Sequence, residues 1–297
     1  MSETQEATVV GNSETEAPTH EISKYLPISA VQMKLAMQNP RDENMVFETM
    51  IADLRTHWRY AEDMYYSIPY KDYQGDKGEK ISMVEGLTIK AAMTFANRWG
   101  NCATAGRIGE ELDDYVMALG YYMDYQKNMY VVRSVRVARI AKTRDGRFYR
   151  LDPNRLNLAI MAGQSKAIRN AVLASLDEWH KDLFFEEAKK LVMAPPGNTE
   201  TAKARIAKAK DVFAKNWKVT AKEFDDFIQV IVADSDGHIS DDEILAKLVG
   251  LRSALKEGHI TVERAFNRTP ENPGAAMPKE KPVPTEETPP KTTAPKK

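Results

Sequence analysis

Cysteine is almost absent from this sequence: Cys102 stands alone among 297 residues. A single thiol excludes an intrachain disulfide framework and a multi-cysteine zinc site, which fits a reducing compartment. It leaves Cys102 the role of a small packed hydrophobe. Histidine is scarce too, and His20, His57, His180, His238 and His259 form neither an HExxH pair nor another metal-ligand spacing. No GxxxxGK[ST] loop occurs, so nucleotide hydrolysis of the P-loop kind lacks its phosphate cradle. The opening stretch MSETQEATVVGNSETEAPTHE has no basic n-region and no apolar h-region, and nowhere does an apolar run reach the roughly 18 residues a membrane span needs. The expectation is a cytoplasmic protein with no membrane partner. Net charge is also near zero, 42 basic against 43 acidic residues, so attraction to a polyanion has to come from local clustering.

What is present divides the chain by composition. With 42% hydrophobic and 29% charged residues it can bury one sizeable core and a smaller one. Residues 1–24 are acidic and poor in large apolar groups, and residues 270–297 hold eight of the fifteen prolines, so both read as tails unable to offset ordering entropy. MAPPGNTET, Met193 to Thr201, reads as a linker. The expected organisation is an acidic tail at 1–24, an α+β core at 25–192, a linker at 193–201, a helical domain at 202–267 and a Pro-rich tail at 268–297.

Periodicity fills in the core. Met45, Phe47, Met50, Ile51, Leu54, Trp58 and Tyr65 fall near helical spacing, and SMVEGLTIKAAMTFANRWGN reads as a second helix stopped at Gly100-Asn101. From Cys102 to about Leu151 the chain is rich in strand formers and broken near LDDY, YQKN and RDGR, which predicts three or four antiparallel strands. Helical spacing returns with Ile160, Ile168, Val172 and Leu176, and three more helices are expected at 201–216, 220–233 and 241–256. The fold class is α+β: an antiparallel β-meander packed on helices, followed by a small helical C-terminal domain.

Charge is concentrated in one place. Between Met129 and Asn170 ten basic residues (Arg133, Arg136, Arg139, Lys142, Arg144, Arg147, Arg150, Arg155, Lys166 and Arg169) face two acidic ones, Asp145 and Asp152. Arginine predominates, and its planar fork suits bidentate contact with phosphate. Strand residues alternate between faces, so cations at 133, 136, 139 and 142, spaced by three, cannot share one face without a bulge. The plainer reading is a charged strand edge that resists aggregation. Tyr121, Tyr122, Tyr125, Tyr130, Phe148 and Tyr149 lie nearby, and Tyr130, Phe148 and Tyr149 are the candidates for stacking on unpaired bases.

Two acidic motifs are weighed as metal sites. VADSDGHISDDE, Val232 to Glu243, sets Asp234, Asp236, Gly237, Ser240 and Glu243 at calcium-loop positions 3, 5, 6, 9 and 12, but position 1 is Val232. A helix start with Ser240 as N-cap and Glu243 closing a capping box accounts for the same residues and is preferred. Glu110, Glu111, Asp113 and Asp114 could hold Mg²⁺, yet consecutive carboxylates at a strand break usually form a solvated turn. No catalytic set and no cofactor is expected.

Two stretches resemble the phage-encoded single-strand annealing proteins, the group of the Red-beta and RecT proteins and the eukaryotic annealing protein of radiation-sensitive yeast. They are Val84 to Asn101, with VEG at its start and RWGN at its end, and the small-residue segment AGQSKAIRNAVL, Ala162 to Leu173. LVGLRSALKEGHITVERAF, Leu248 to Phe266, is similar to the helical C-terminal module of such recombinases. The resemblance, over about residues 60 to 180, implies a β-sheet packed on a helix and ATP-independent annealing of complementary strands. It further implies homo-oligomeric rings or filaments with DNA in a basic groove. Its partners would be single-stranded DNA, the annealed duplex intermediate, other copies of the chain, and a host single-strand binding protein or phage exonuclease. The tail from Arg268, with six basic and four acidic residues, departs from the acidic tip of single-strand binding proteins. The alternative class is a scaffolding oligomer whose basic sheet meets an acidic protein surface.

Overall fold

The computed structural model describes residues 30–73, 79–142, 147–235 and 237–268. The tails expected at 1–24 and beyond Arg268 lie outside these residues. The chain is α+β, with antiparallel sheets packed on helices and a helical C-terminal region. No helix among the described residues is long and apolar enough to cross a membrane.

Helices α1 (Ala30–Gln38) and α2 (Glu43–Thr56) open the described chain. Asp42 caps α2 by accepting from Met45 N at 3.0 Å, and Phe47, Met50 and Leu54 form its buried stripe. The sequence pattern carries helical spacing on to Tyr65, but α2 stops at Thr56. A 3₁₀ turn, Trp58–Asp63, follows, and Tyr65 starts a strand. Strands β1 (Tyr65–Tyr73) and β2 (Glu79–Leu87) form an antiparallel hairpin in which Tyr65 faces Leu87 and Pro69 faces Met83. Ser82 to Leu87 are therefore strand and not the first turns of a helix, which corrects the sequence reading. Helix α3 (Ile89–Trp99) begins only where Thr88 accepts from Ala91 N at 3.3 Å. It ends as expected, with Gly100 at φ 66° and Asn101 at φ 47°.

The meander follows as β3 (Cys102–Glu111), β4 (Tyr115–Asp124) and β5 (Met129–Ala138), in sheet order β3-β4-β5. A two-stranded hairpin, β6 (Ile140–Lys142) and β7 (Phe148–Arg150), leads into the long helix α4 (Pro153–Ser175). Asp152 caps α4 and Pro153 occupies its first turn, where a missing N–H costs nothing. Helix α4 lies across all three strands of the meander. The approach is set by glycine: a Cβ on Gly120 would stand 2.1 Å from the Ala167 carbonyl carbon, and one on Gly163 would meet Val137 Cγ2 at 2.4 Å.

Helices α5 (Glu178–Met193), α6 (Ala202–Trp217), α7 (Ala221–Asp234), α8 (Asp241–Lys256) and the short α9 (Val262–Ala265) complete the chain. Helix α8 gives Leu245 and Val249 to the core formed by Phe47, Phe95, Trp99, Tyr122 and Phe184, and Leu248 and Leu251 to a second core with Phe213, Phe224, Phe227 and Phe266. A helix apolar on most of its circumference belongs inside a protein, and each such leucine contributes roughly 1.5–3 kcal/mol by leaving water. Tyr65 Oη also donates to Ala246 O at 2.9 Å, tying β1 to α8. Local periodicity predicts the helix but not that it packs into the main core.

One buried ion pair holds the meander to α2. Arg41 is hydrogen-bonded to Asp124, their side chains 4% and 1% exposed, and Arg41 also lies over the Trp99 ring at 5.4 Å. Asp124 further accepts from Gln126 N and Lys127 N at 3.0 and 2.9 Å, so the β4–β5 turn is fixed to the pair.

Candidate nucleic-acid interface

The ten cations of the 129–170 segment are placed very differently. Gly120 faces α4, and its cross-strand partner is Arg133, so Arg133 belongs to the α4 side of the sheet. Arg136, three residues on, pairs with Met117 and lies over the Tyr115 ring at 4.0 Å, on the opposite face. The alternation of the strand thus disperses them. At Arg139 the strand is interrupted and the side chain turns to Glu111, while Arg139 N donates to Asp114 O at 2.8 Å. That arginine braces the end of the sheet, and Glu111 and Asp114 are engaged there.

Arg155 sits in the first turn of α4, 3.3 Å from Asp152, with both side chains about half exposed. Such a pair is worth under about 1 kcal/mol and leaves the cation accessible. Lys166 is exposed, whereas Arg169 is 7% exposed. Arg150 and Arg147 are exposed in and beside β7. Arg133, Arg136, Arg150 and Lys166 have no carboxylate partner among the described residues. Arg144 lies outside the described residues, as does the side chain of Lys142.

Two of these cations, Lys166 and Arg169, line one cavity on the α4 side of the sheet, with Arg136 at its β5 edge. A cavity of about 250 Å³ opens between the β5 edge (Val135, Arg136, Val137), α4 (Ala159, Ala162, Gly163, Lys166, Arg169), β1 (Tyr66, Ile68) and the turn Glu257–His259. Along α4, positions 155, 159, 162, 166 and 169 form one stripe, so small alanines floor the groove and cations flank it. Sequence reasoning missed Tyr66, Glu257 and His259, which approach from distant parts of the chain on either side and carry no local signal. A larger cavity of about 580 Å³ lies between the β1–β2 hairpin and α9. Its lining balances Lys71, Arg264 and Arg268 against Glu223, Asp226 and Glu263, and so favours neither sign of ligand.

The stacking candidates divide as well. Phe148 is 73% exposed on β7. Tyr149 is partly buried, and Tyr130 packs 6.2 Å from Tyr121 in the cluster under α1. Tyr121, Tyr122 and Tyr125 are buried. Cys102 donates to Ala96 O at 3.1 Å, and burial pushes its thiol up, as suits a packed residue.

The calcium-loop-like stretch is a helix junction. Ser240 Oγ accepts from Glu243 N at 3.3 Å, and the Glu243 carboxylate accepts from Ser240 N at 2.9 Å, which closes the capping box. Asp234 accepts from Met83 N and Lys247 Nζ, each at 3.2 Å. Asp236 lies outside the described residues. Among the described residues no group of three or more His, Cys, Asp and Glu is placed to hold a metal ion.

Comparison with protein-family models, with curated proteins and with solved structures finds no match to this chain. The resemblance of Val84–Asn101 and Ala162–Leu173 to the annealing proteins therefore rests on those residues alone. In the structure the first stretch spans the end of β2 and all of α3, and the second is the middle of α4, against the sheet.

Proposed function

We propose that this chain binds single-stranded DNA without hydrolysing nucleotide, and that copies of it acting together anneal complementary strands. The observation that carries the reading is the concentration of cations on β5 and α4, where Arg133, Arg136 and Lys166 have no carboxylate partner among the described residues and Lys166 lies beside a groove floored by alanines. A strand held there by its phosphates would keep its bases outward for pairing. Exposed Phe148 offers a stacking face at the hairpin that leads into α4.

The test is fluorescence anisotropy of a labelled oligonucleotide, beside a two-oligonucleotide annealing assay without nucleotide. Wild type should bind with an affinity that falls steeply with salt and should accelerate annealing. Arg136→Glu/Lys166→Glu should lose both activities with unchanged folding. Absence of binding by folded wild type at low salt overturns the reading. It would favour a scaffolding oligomer, for which the exposed Val31, Leu35 and Met37 of α1 are the supporting observation.

A further inference from the structure

Arg169 is buried, and no carboxylate among the described residues pairs with it. Burying a cation is tolerated when a carboxylate meets it, as Asp124 meets Arg41. Arg169 has uncharged acceptors instead. Its Nε and one terminal nitrogen share the single oxygen Asn170 Oδ1, at 3.2 and 3.1 Å. The other terminal nitrogen stands 3.5 Å from His259 Nε2, and the guanidinium lies over the Tyr66 ring at 5.2 Å.

The His259 contact is compromised by chemistry. His259 Nε2 is also 3.0 Å from Glu257 Oε2, and a ring nitrogen that donates to a carboxylate carries its proton and cannot accept from arginine. Glu257, the one carboxylate lining the cavity, is thereby engaged by His259 rather than by Arg169. A guanidinium has five N–H donors, so at least two of those on Arg169 find no acceptor among the described residues. Exposed Lys166, one helical turn before it, lines the same cavity and has no ion pair among the described residues.

We propose that this cavity is a seat for one phosphate group, held by Arg169 at its back and Lys166 at its mouth. Arginine supplies a planar fork to two phosphate oxygens, and lysine adds a mobile point charge. The small side chains of Ala159, Ala162 and Gly163 leave room for the tetrahedral anion. Because Tyr66 and the 257–259 turn also line the cavity, an occupied seat would draw β1, α4 and the C-terminal helices together. The site deepens the nucleic-acid reading where the phosphate belongs to a strand, but inorganic phosphate has the same chemistry.

Thermal unfolding of the full chain in inorganic phosphate, against chloride at matched ionic strength, tests the seat. A tenfold excess over Kd should raise the Tm by roughly 3–6 °C. Arg169→Gln should abolish the shift. Lys166→Gln, at an exposed position that tolerates change, should weaken phosphate about tenfold with its own Tm in chloride unchanged. An equal shift in wild type and Lys166→Gln, or none beyond chloride in wild type, overturns the proposal. Anisotropy with a labelled oligonucleotide separates the sources. Displacement of the strand by phosphate in wild type, but not in Lys166→Gln, supports a strand phosphate in the seat, and a phosphate shift without displacement supports a free anion. A phosphate shift with no strand binding supports the seat and removes the DNA reading; strand binding with no phosphate shift does the reverse.

Discussion

Two helix-on-sheet units in this molecule are built alike and use charge in opposite ways. Helix α4 rests on β3-β4-β5 through Gly120, and α8 rests on the β1–β2 hairpin through Gly250, whose added Cβ would stand 2.7 Å from Ser67 N. On α8, Lys247 pairs with Asp234, Arg252 with Glu62 and Lys256 with Asp63. On α4, Lys166 has no ion pair among the described residues and Arg169 is buried against uncharged groups. The packing solution is shared, so it does not explain the difference. The cations of α8 are paired within the fold, while Lys166 and Arg169 of α4 meet no carboxylate among the described residues.

The largest effects are expected at the glycines. Gly120→Val drives a side chain into the Ala167–Ile168 backbone and should cost more than about 4 kcal/mol, leaving the chain unfolded by circular dichroism at 25 °C. Gly250→Ala should cost about 1–3 kcal/mol in urea unfolding, and an equal loss at both sites would show the two contacts to be equally tight. Arg41→Met leaves Asp124 charged and buried and should cost about 3–5 kcal/mol. Arg252→Met, at a partly exposed pair, should cost under about 1 kcal/mol in the same measurement.

Titration sharpens the contrast at intermediate size. His180 is 1% exposed among Phe47, Trp99 and Trp179, and neither ring nitrogen has a hydrogen-bond partner. Burial holds it below the ordinary histidine value, with Asp177 and Glu43 opposing. The unfolded chain therefore takes up the proton first. Stability is complete above about pH 6.5 and falls as pH drops below it, by up to about 1.4 kcal/mol per pH unit. His180→Leu should flatten that limb of a urea-midpoint profile. Among the C-terminal helices the window is acidic: Arg268, with the Thr220 N–H and hydroxyl, lowers the Glu223 carboxyl to about 2. Its contribution is present above about pH 4.5 and is lost as pH falls toward 2, and Arg268→Ala should remove that loss.

The smallest effect on stability separates the two sets of cations most directly. Arg133→Ala should leave unfolding within about 0.5 kcal/mol of wild type and reduce the salt slope of oligonucleotide binding by about 1. Lys247→Ala should lower stability by up to about 1 kcal/mol and leave the slope unchanged. The reverse result would sink the assignment of the β5 and α4 cations to a ligand.

Much of this was legible where signals are local. The last three long helices fall within a residue of their expected ends, the Ser240–Glu243 box reads directly, and the meander follows from its breaks at LDDY and YQKN. The β1–β2 hairpin was not legible, because Trp58 and Tyr65 continue the spacing of α2 and the apolar residues of SMVEGL fit either period. Nor was the burial of Arg169. It depends on Tyr66 and His259, and a basic residue within a cationic run gives no sign that its neighbours in space are uncharged. The dispersal of Arg133 and Arg136 over two faces was legible, since parity alone requires it.

The contact at Gly120 has a mechanical side. Where side chains interdigitate, a helix can slide or tilt by exchanging rotamers. Here backbone lies on backbone, and Gly163 against Val137 adds a second rigid point on α4. A helix pinned twice has little freedom to roll. Any twist imposed on the meander would then turn α4 like a lever arm, carrying Lys166 and Arg169 with it and opening or narrowing their distance from Tyr66.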